Sequence, residues 1–230
     1  MTNAILTRRH FIAGSTALIL TACGEQRSIA QSANDSAAAQ PASNNAGPAL
    51  QREWGQIKDA ASKLIKAART QIGVTTTYDP AYTALSFPNG DVPRGKGVCT
   101  DVVIRAYRDT LGLDLQSLVN ADMKANFSAY PKRWGLKRTD RNIDHRRVPN
   151  LDVFFTREGA RLPVAQDPAT WQPGDIFSSL VGNNLPHTGI VSDQLGPSGA
   201  PMVIHNIGSG TQEEDILFDH KLIGHFRWKV

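Results

Sequence analysis

Hydrophobic residues recur at intervals of three and four positions in two stretches of this 230-residue chain. The first stretch predicts an amphipathic helix over residues 50–71. Its apolar positions are Trp54, Ile57, Ala61, Leu64, Ile65 and Ala68. The second stretch predicts a helix over 100–111 with Gly112 as its C-cap. A shorter helix is expected to begin at Pro149 and to end at Gly159.

The pattern changes to short β-like runs in the last third of the chain. These runs are bounded by turn residues, which is typical of antiparallel strands. They span residues 176–180, 189–192, 202–205 and 222–228. Because the helices come first and the strands second, the sequence predicts an α+β fold with N-terminal helices packed on a C-terminal antiparallel β-sheet.

The first 22 residues are predicted to be an export signal. Arg8 and Arg9 precede an apolar run that is too short to span a bilayer as a permanent helix. The paired arginines followed by Phe11 resemble a twin-arginine signal, which exports a protein in its folded state. The mature protein is therefore expected outside the cytoplasm.

A lipid anchor is expected at Cys23. Residues 20–24, Leu-Thr-Ala-Cys-Gly, resemble the lipobox of bacterial lipoproteins, in which the cysteine is acylated. By the same resemblance, the glycine after the cysteine implies that the lipoprotein is located in the outer membrane of a Gram-negative cell. The alternative is an ordinary signal peptide with Cys23 incidental. Residues 23–49, rich in Ala, Ser and Asn, are predicted to be a flexible tether. It would hold a single domain, residues 50–230, at the periplasmic face of the envelope.

Charge and composition exclude some classes of function. The formal net charge of +4 falls by two when Arg8 and Arg9 leave with the signal, which is too little to argue for a nucleic-acid partner. No nucleotide-binding glycine loop is present, so no cofactor is expected, and the protein is expected to be a monomer. The segment 131–147 contains seven basic and two acidic residues. It is either a solvated surface or a cluster of guanidinium groups that binds carboxylates.

Cys99 is placed where a glycine-rich loop meets the second predicted helix. A helix N-terminus lowers the pKa of a thiol, and the thiolate is the reactive form, so Cys99 is a candidate nucleophile. Asp101 suits the first turn of that helix as a residue that complements the helix dipole. The alternative is that Cys99 is a small buried hydrophobic residue.

A cysteine nucleophile needs a base, and the base needs a third group to orient it. His187 begins one predicted strand and His205 ends another. If these strands pair through the turn at 196–199, the two histidines are expected to lie close together at one end of the sheet. They are therefore the candidate base and orienting residue.

The order of these features resembles the NlpC-type cysteine peptidases, a papain-like clan of bacterial cell-wall endopeptidases and amidases. It is most similar to the uncharacterised domain-of-unknown-function family 1287 within that clan. The resemblance extends over about residues 57–228. The matching features are Tyr78 after a helix, Cys99 opening a helix, Gln-Pro-Gly-Asp-Ile-Phe at 172–177, His-Thr-Gly-Ile-Val at 187–191 and a strand ending at His205.

The resemblance implies a papain-like fold and a role for each residue of the site. Cys99 is expected to attack an amide carbonyl, His187 to act as general base and then as acid, and His205 to orient His187. Asn206 competes for the orienting role, because its side chain also accepts hydrogen bonds. Tyr78 is expected to help the backbone N–H of Cys99 stabilise the oxyanion.

These features predict a cell-envelope hydrolase that cleaves amide bonds in peptidoglycan stem peptides, with peptidoglycan or muropeptides as the substrate. Acyl transfer, a non-catalytic cell-wall-binding lipoprotein, and a zinc site formed by Cys99, His187 and His205 are the alternatives. Val98 before the cysteine and Thr100 after it depart from the acidic or amide residue and the Ser-Gly pair common in cell-wall members. This departure concerns the recognition of the substrate.

Overall fold

The computed structural model describes residues 58–182 and 184–230. Several sequence predictions lie outside the described residues: the export signal at 1–22, the lipidation site Cys23, the tether at 23–49 and the start of the first helix at 50–57. Within the described part, no helix is long and apolar enough to cross a membrane.

Four α-helices precede the sheet in the described residues. They are α1 at Asp59–Arg69, α2 at Cys99–Leu111, α3 at Leu115–Ala125 and α4 at Val148–Arg157. Short 3₁₀-helices lie at Phe127–Ala129, Asp144–Arg146 and Pro168–Thr170. The described parts of α1, α2 and α4 confirm the helices predicted from hydrophobic spacing. Gly112 ends α2 in the left-handed conformation, as its expected role as C-cap requires.

Helix α3 was not predicted. Its buried positions Leu115, Val119 and Met123 are four residues apart and form a narrow apolar stripe. Asp114 caps the helix, because its carboxylate accepts a hydrogen bond from the Gln116 N–H at 3.0 Å. Both signals were present in the sequence, and the narrowness of the stripe made them weak.

In the described residues the strands pair into two sheets. Strands β1 at Thr77–Tyr78 and β2 at Lys96–Gly97 form a short parallel pair. The main sheet is antiparallel, in the order β6-β5-β4-β3-β7. Its strands are β3 at Ile176–Val181, β4 at Leu185–Leu195, β5 at Pro201–Asn206, β6 at Thr211–Glu214 and β7 at Lys221–Phe226.

The four predicted strands and the α+β class are confirmed, with slightly different strand bounds. Strand β6 was missed, because Thr-Gln-Glu-Glu has no alternation of apolar and polar residues. It is an edge strand, and an edge strand takes its stability from pairing with its neighbour more than from a buried face.

The helices pack on the sheet through an aromatic core. Trp228, which follows β7, lies between α2 and α4: its ring centroid is 5.0 Å from that of Tyr107 and 5.4 Å from that of Phe154. The Tyr107 hydroxyl also donates a hydrogen bond to the Trp228 carbonyl at 2.8 Å. This contact joins the middle of α2 to the C-terminal end of the sheet, and so fixes the helix that begins with Cys99.

Candidate active site

Cys99 is the first residue of α2 and is 4% exposed. The residue before it, Val98, is extended and has no polar side chain with which to cap the helix. Asp101 caps it instead, because its carboxylate accepts a hydrogen bond from the Val98 N–H at 2.7 Å. Asp101 therefore fixes the turn at which the thiol is placed.

The Asp101 carboxylate is also half of a buried ion pair. Arg146 donates two hydrogen bonds to it, from Nε at 2.9 Å and from Nη2 at 2.8 Å, and the two side chains are 2% and 4% exposed. Burial alone would lower the pKa of Arg146, but the Asp101 carboxylate raises it above its ordinary value, so the guanidinium is charged. The Thr100 hydroxyl donates to the Arg146 carbonyl at 3.0 Å. The 3₁₀-helix Asp144–Arg146 is thereby fixed to the start of α2.

His187 in β4 and His205 in β5 lie side by side. The two rings are 4% and 0% exposed, and His187 Nε2 is 3.1 Å from His205 Nδ1. The pairing of β4 with β5, in which Gly189 is opposite His205, brings the two rings to the same end of the sheet. Burial, and then the neighbouring His205, lower the pKa of His187 to about 3. The ring is therefore neutral at neutral pH.

The Cys99 thiol lies near the strand that contains His187. The backbone N–H groups of Thr188, the residue after His187, of Thr100 and of Cys99 itself are close enough to the thiol to favour its charged form. Burial raises the pKa of Cys99 to about 12 in spite of these three N–H groups. The expected lowering by the helix N-terminus is thus outweighed by the loss of solvent, and the resting group is a neutral thiol.

A cleft of about 340 Å³ opens beside Cys99. Tyr78, at the end of β1, forms part of its wall and is 38% exposed. Burial, and then the proximity of Cys99 and Asp101, raise the pKa of Tyr78 to about 12, so its hydroxyl keeps its proton and can donate a hydrogen bond. The cleft is also lined by Arg146, Arg147 and Trp134, and the Arg147 guanidinium lies 4.2 Å from the centre of the Trp134 ring.

Asn206, the alternative residue for orienting His187, directs its side chain elsewhere. Its Nδ2 donates to the Gly97 carbonyl at 3.2 Å, and its Oδ1 accepts from the Gly208 N–H at 3.3 Å. Among residues 58–182 and 184–230 it makes no hydrogen bond to either histidine. Its amide holds β5 against the loop before Cys99, and His205 is the residue that His187 contacts.

The basic segment 131–147 divides into two parts. Most of its basic side chains are exposed and form a solvated surface: Lys132, Arg133, Lys137, Arg138 and Arg141. Arg146 and Arg147 line the cleft beside Cys99 instead. The solvated-surface interpretation therefore describes most of the segment, and binding of carboxylates by the arginines of the cleft stays a prediction.

His145 lies under the cleft wall and gives a pH-dependent prediction. It is 2% exposed, and burial lowers its pKa from 6.5 to about 4. Since the folded state disfavours the proton, stability from the neutral ring is complete above about pH 6.5 and is lost as the pH falls towards 4. Between pH 7 and pH 4 the wild type should lose about 3 kcal/mol more than His145→Gln. Urea unfolding of both proteins at the two pH values measures this difference, and parallel losses would contradict it.

The zinc alternative concerns the side chains of Cys99, His187 and His205. No group of three or more His, Cys, Asp or Glu side chains in this part of the chain is arranged to hold a metal ion. His187 and His205 direct a ring nitrogen at each other. The side chains are thus arranged as hydrogen-bond partners.

The fold and the site together define an α+β domain in which a cysteine at a helix N-terminus lies against a sheet with two paired histidines. Residues 65–228 match the family described as "Domain of unknown function (DUF1287)", and the chain belongs to that family. The membership expected from the sequence is thereby confirmed. The chain is 54% identical over 167 residues to the uncharacterized protein YijF of Escherichia coli (strain K12), over 73% of this chain and 81% of YijF.

One solved structure gives a distant similarity. It is the crystal structure of an N-acetylmuramoyl-L-alanine amidase from Bacteroides uniformis, with 10% sequence identity and a TM-score of 0.44 over 74% of this chain and 98% of that one. A TM-score below 0.5 does not establish a shared fold, so this similarity assigns no activity to the chain.

Proposed function

We propose that this chain is a cell-envelope cysteine hydrolase that cleaves amide bonds in peptidoglycan stem peptides. Cys99 is the nucleophile, His187 the general base and His205 the residue that orients His187. The observation that supports this most is the junction of α2 and β4. There the thiol of Cys99 lies near the backbone N–H of the residue that follows His187, and His187 Nε2 lies 3.1 Å from His205 Nδ1.

The proposed architecture of the catalytic domain, residues 50–230, is the papain-like fold of the NlpC-type peptidases. Two features support it: the cysteine at the N-terminus of a helix, and the antiparallel sheet that contains both histidines. This is the arrangement that the sequence resemblance implies.

The proposed reaction begins with a neutral thiol and a neutral imidazole. As the Cys99 sulfur attacks the carbonyl carbon of the amide, the thiol proton moves to His187. When the tetrahedral intermediate collapses, the C–N bond breaks and His187 gives its proton to the leaving amine. A thioester remains on Cys99. Water then attacks the thioester, with His187 again as base, and the carboxylic acid and the free thiol are released.

The oxyanion of each tetrahedral intermediate needs hydrogen-bond donors that are already in place. The N–H of Cys99 is one proposed donor, because Cys99 is the first residue of α2 and this N–H lies beside the attacking sulfur. The Tyr78 hydroxyl, on the wall of the same cleft, is the second. The raised pKa of Tyr78 supports this role, because the hydroxyl stays protonated at neutral pH.

Arg147, on the wall of the cleft, supports an acidic substrate. Arg147 is 17% exposed in its side chain, so its guanidinium is accessible to a ligand that enters the cleft. An arginine binds a carboxylate through parallel hydrogen bonds, and peptidoglycan stem peptides contain several carboxylates. A monomeric enzyme held at the periplasmic face by a lipidated Cys23, with the outer membrane as its site, would reach this substrate through the tether at 23–49.

The test is product analysis with purified sacculi. Full-length wild-type protein and Cys99→Ala are incubated with sacculi, and the soluble fragments are identified by mass spectrometry. The proposal expects a new amine and a new carboxylic acid from one type of amide bond, with wild type only. Added hydroxylamine should trap the thioester and give a hydroxamate in place of the acid.

The other outcomes distinguish the alternatives. Transfer of the acyl group to an added amine or alcohol with no acid released would replace hydrolysis by acyl transfer. Equal binding of muropeptides by both proteins with no turnover would contradict an enzyme and favour a cell-wall-binding lipoprotein.

A further inference from the structure

A carboxylate lies on the far side of the histidine pair. Glu214, the last residue of β6, has its Oε2 2.9 Å from Nε2 of His205. In the register of β5 with β6, Glu214 is opposite Val203 and is thus a diagonal neighbour of His205 on the same face of the sheet. Nε2 of His205 is buried and makes no hydrogen bond of regular geometry among the described residues, and the Glu214 carboxylate is the acceptor group within ion-pair distance of it.

The carboxylate of Glu214 is itself held by its strand. Gln212, opposite His205 in the register, donates its amide N–H to Glu214 at 3.1 Å in the amide orientation that satisfies both groups. His205, in contrast, is fully buried. Two contacts therefore hold the Glu214 carboxylate next to His205 Nε2: the diagonal pairing of Glu214 with His205 across β5 and β6, and the hydrogen bond from Gln212.

This contact determines which nitrogen of each ring bears the proton. An ionised carboxylate only accepts hydrogen bonds, so Nε2 of His205 must be the protonated nitrogen, and Nδ1 of His205 becomes an acceptor. The 3.1 Å contact between the two rings then requires His187 to donate from its Nε2. A neutral imidazole bears one N–H, so Nδ1 of His187 is left unprotonated and available as a base.

We propose that Glu214 is a positioning residue that holds both histidines in the tautomer required for His187 to act as a base. The proposal rests on the proposed function, in which His187 takes the thiol proton. Without the carboxylate, His205 can bear its proton on Nδ1 and donate to His187. His187 would then bear its own proton on Nδ1, and this ring cannot accept another proton there.

The experiment reads the tautomers directly. Full-length protein labelled with ¹⁵N-histidine is studied by long-range ¹H–¹⁵N NMR, which distinguishes protonated from unprotonated ring nitrogens. The wild type should show Nε2–H on both His187 and His205. Glu214→Ala should show Nδ1–H on a substantial fraction of both rings, and Glu214→Gln, which keeps an accepting oxygen, should remain close to the wild type. Asp219→Ala is the matched control, because it removes an exposed carboxylate from the turn after β6.

Turnover gives the second readout. Glu214→Ala should lower kcat by about tenfold to a hundredfold with little change in KM, as loss of an outer-shell partner does elsewhere. Glu214→Gln should recover most of the loss, and Asp219→Ala should match the wild type. If Glu214→Ala does not fold, the tautomers in the wild-type spectrum and the turnover of Glu214→Gln still test the role of Glu214.

The two proposals fail separately. Nδ1–H on His187 in the wild type, or unchanged tautomers in Glu214→Ala, would overturn the role of Glu214 whether or not the protein is a hydrolase. The expected tautomers without turnover by any variant would support the positioning by Glu214 and contradict the proposed function.

Discussion

Replacing Cys99 with alanine is expected to lower the turnover of peptidoglycan fragments by about four to six orders of magnitude, since the loss of a nucleophile removes the covalent route. Because the thiol is small and makes no side-chain hydrogen bond among the described residues, the fold should lose no more than about 1 kcal/mol. Fragment release from sacculi measures the first effect, and urea unfolding measures the second.

Ser179→Ala is the matched control for this substitution. Ser179 is buried, lies opposite His187 in the register of β3 with β4, and its hydroxyl has no hydrogen-bond partner among the described residues. Its replacement should leave both activity and stability nearly unchanged. Residual activity of Cys99→Ala above a tenth of the wild-type value would contradict the assignment of the nucleophile.

Arg105→Leu is expected to destabilise the protein by about 3–5 kcal/mol, the usual cost of breaking a buried ion pair by removing one partner. Arg105 projects from α2, is 0% exposed and donates to both carboxylate oxygens of Asp91. It also donates to the Thr75 hydroxyl at 3.0 Å and to the Lys96 carbonyl at 3.0 Å. The substitution would leave these acceptors buried with fewer partners. Urea unfolding gives the loss in free energy.

The same substitution should also reduce activity, because Arg105 holds the loop that leads to Cys99. Arg157→Leu is the control: Arg157 also makes two hydrogen bonds to one carboxylate, that of Asp122, but this pair is exposed to solvent. Its unfolding midpoint should move much less. Similar shifts in the two variants would show that Arg105 acts as an ordinary surface arginine.

The features of the fold that were predicted correctly are those with local physical causes. Helices α2 and α4 follow from spacing, a C-cap glycine and a proline near the helix start, and the strands follow from short apolar runs between turns. Strand β6 could not be predicted in this way, because its four polar residues become a strand only by pairing with β5.

The residues of the site also divide into those that local sequence predicts and those that only the fold brings together. That Cys99 begins a helix is a local property, and it could be inferred from the glycine-rich loop before it. The partner of Asp101 could not, because Arg146 is 45 residues away in a segment whose other arginines and lysines are mostly exposed. Glu214 was missed for the same reason: only the register of β5 with β6 places it beside His205.

The sequence by itself determined the α+β class, most of the helices and strands, and which cysteine and histidines are candidates for chemistry, since these depend on the periodicity and type of neighbouring residues. The tertiary structure decided the protonation of the site and its polar contacts. Burial raises the pKa of Cys99, in opposition to the helix N-terminus, and lowers the pKa of His187. Desolvation and pairing between distant segments depend on the whole fold, and no local pattern in the chain encodes them.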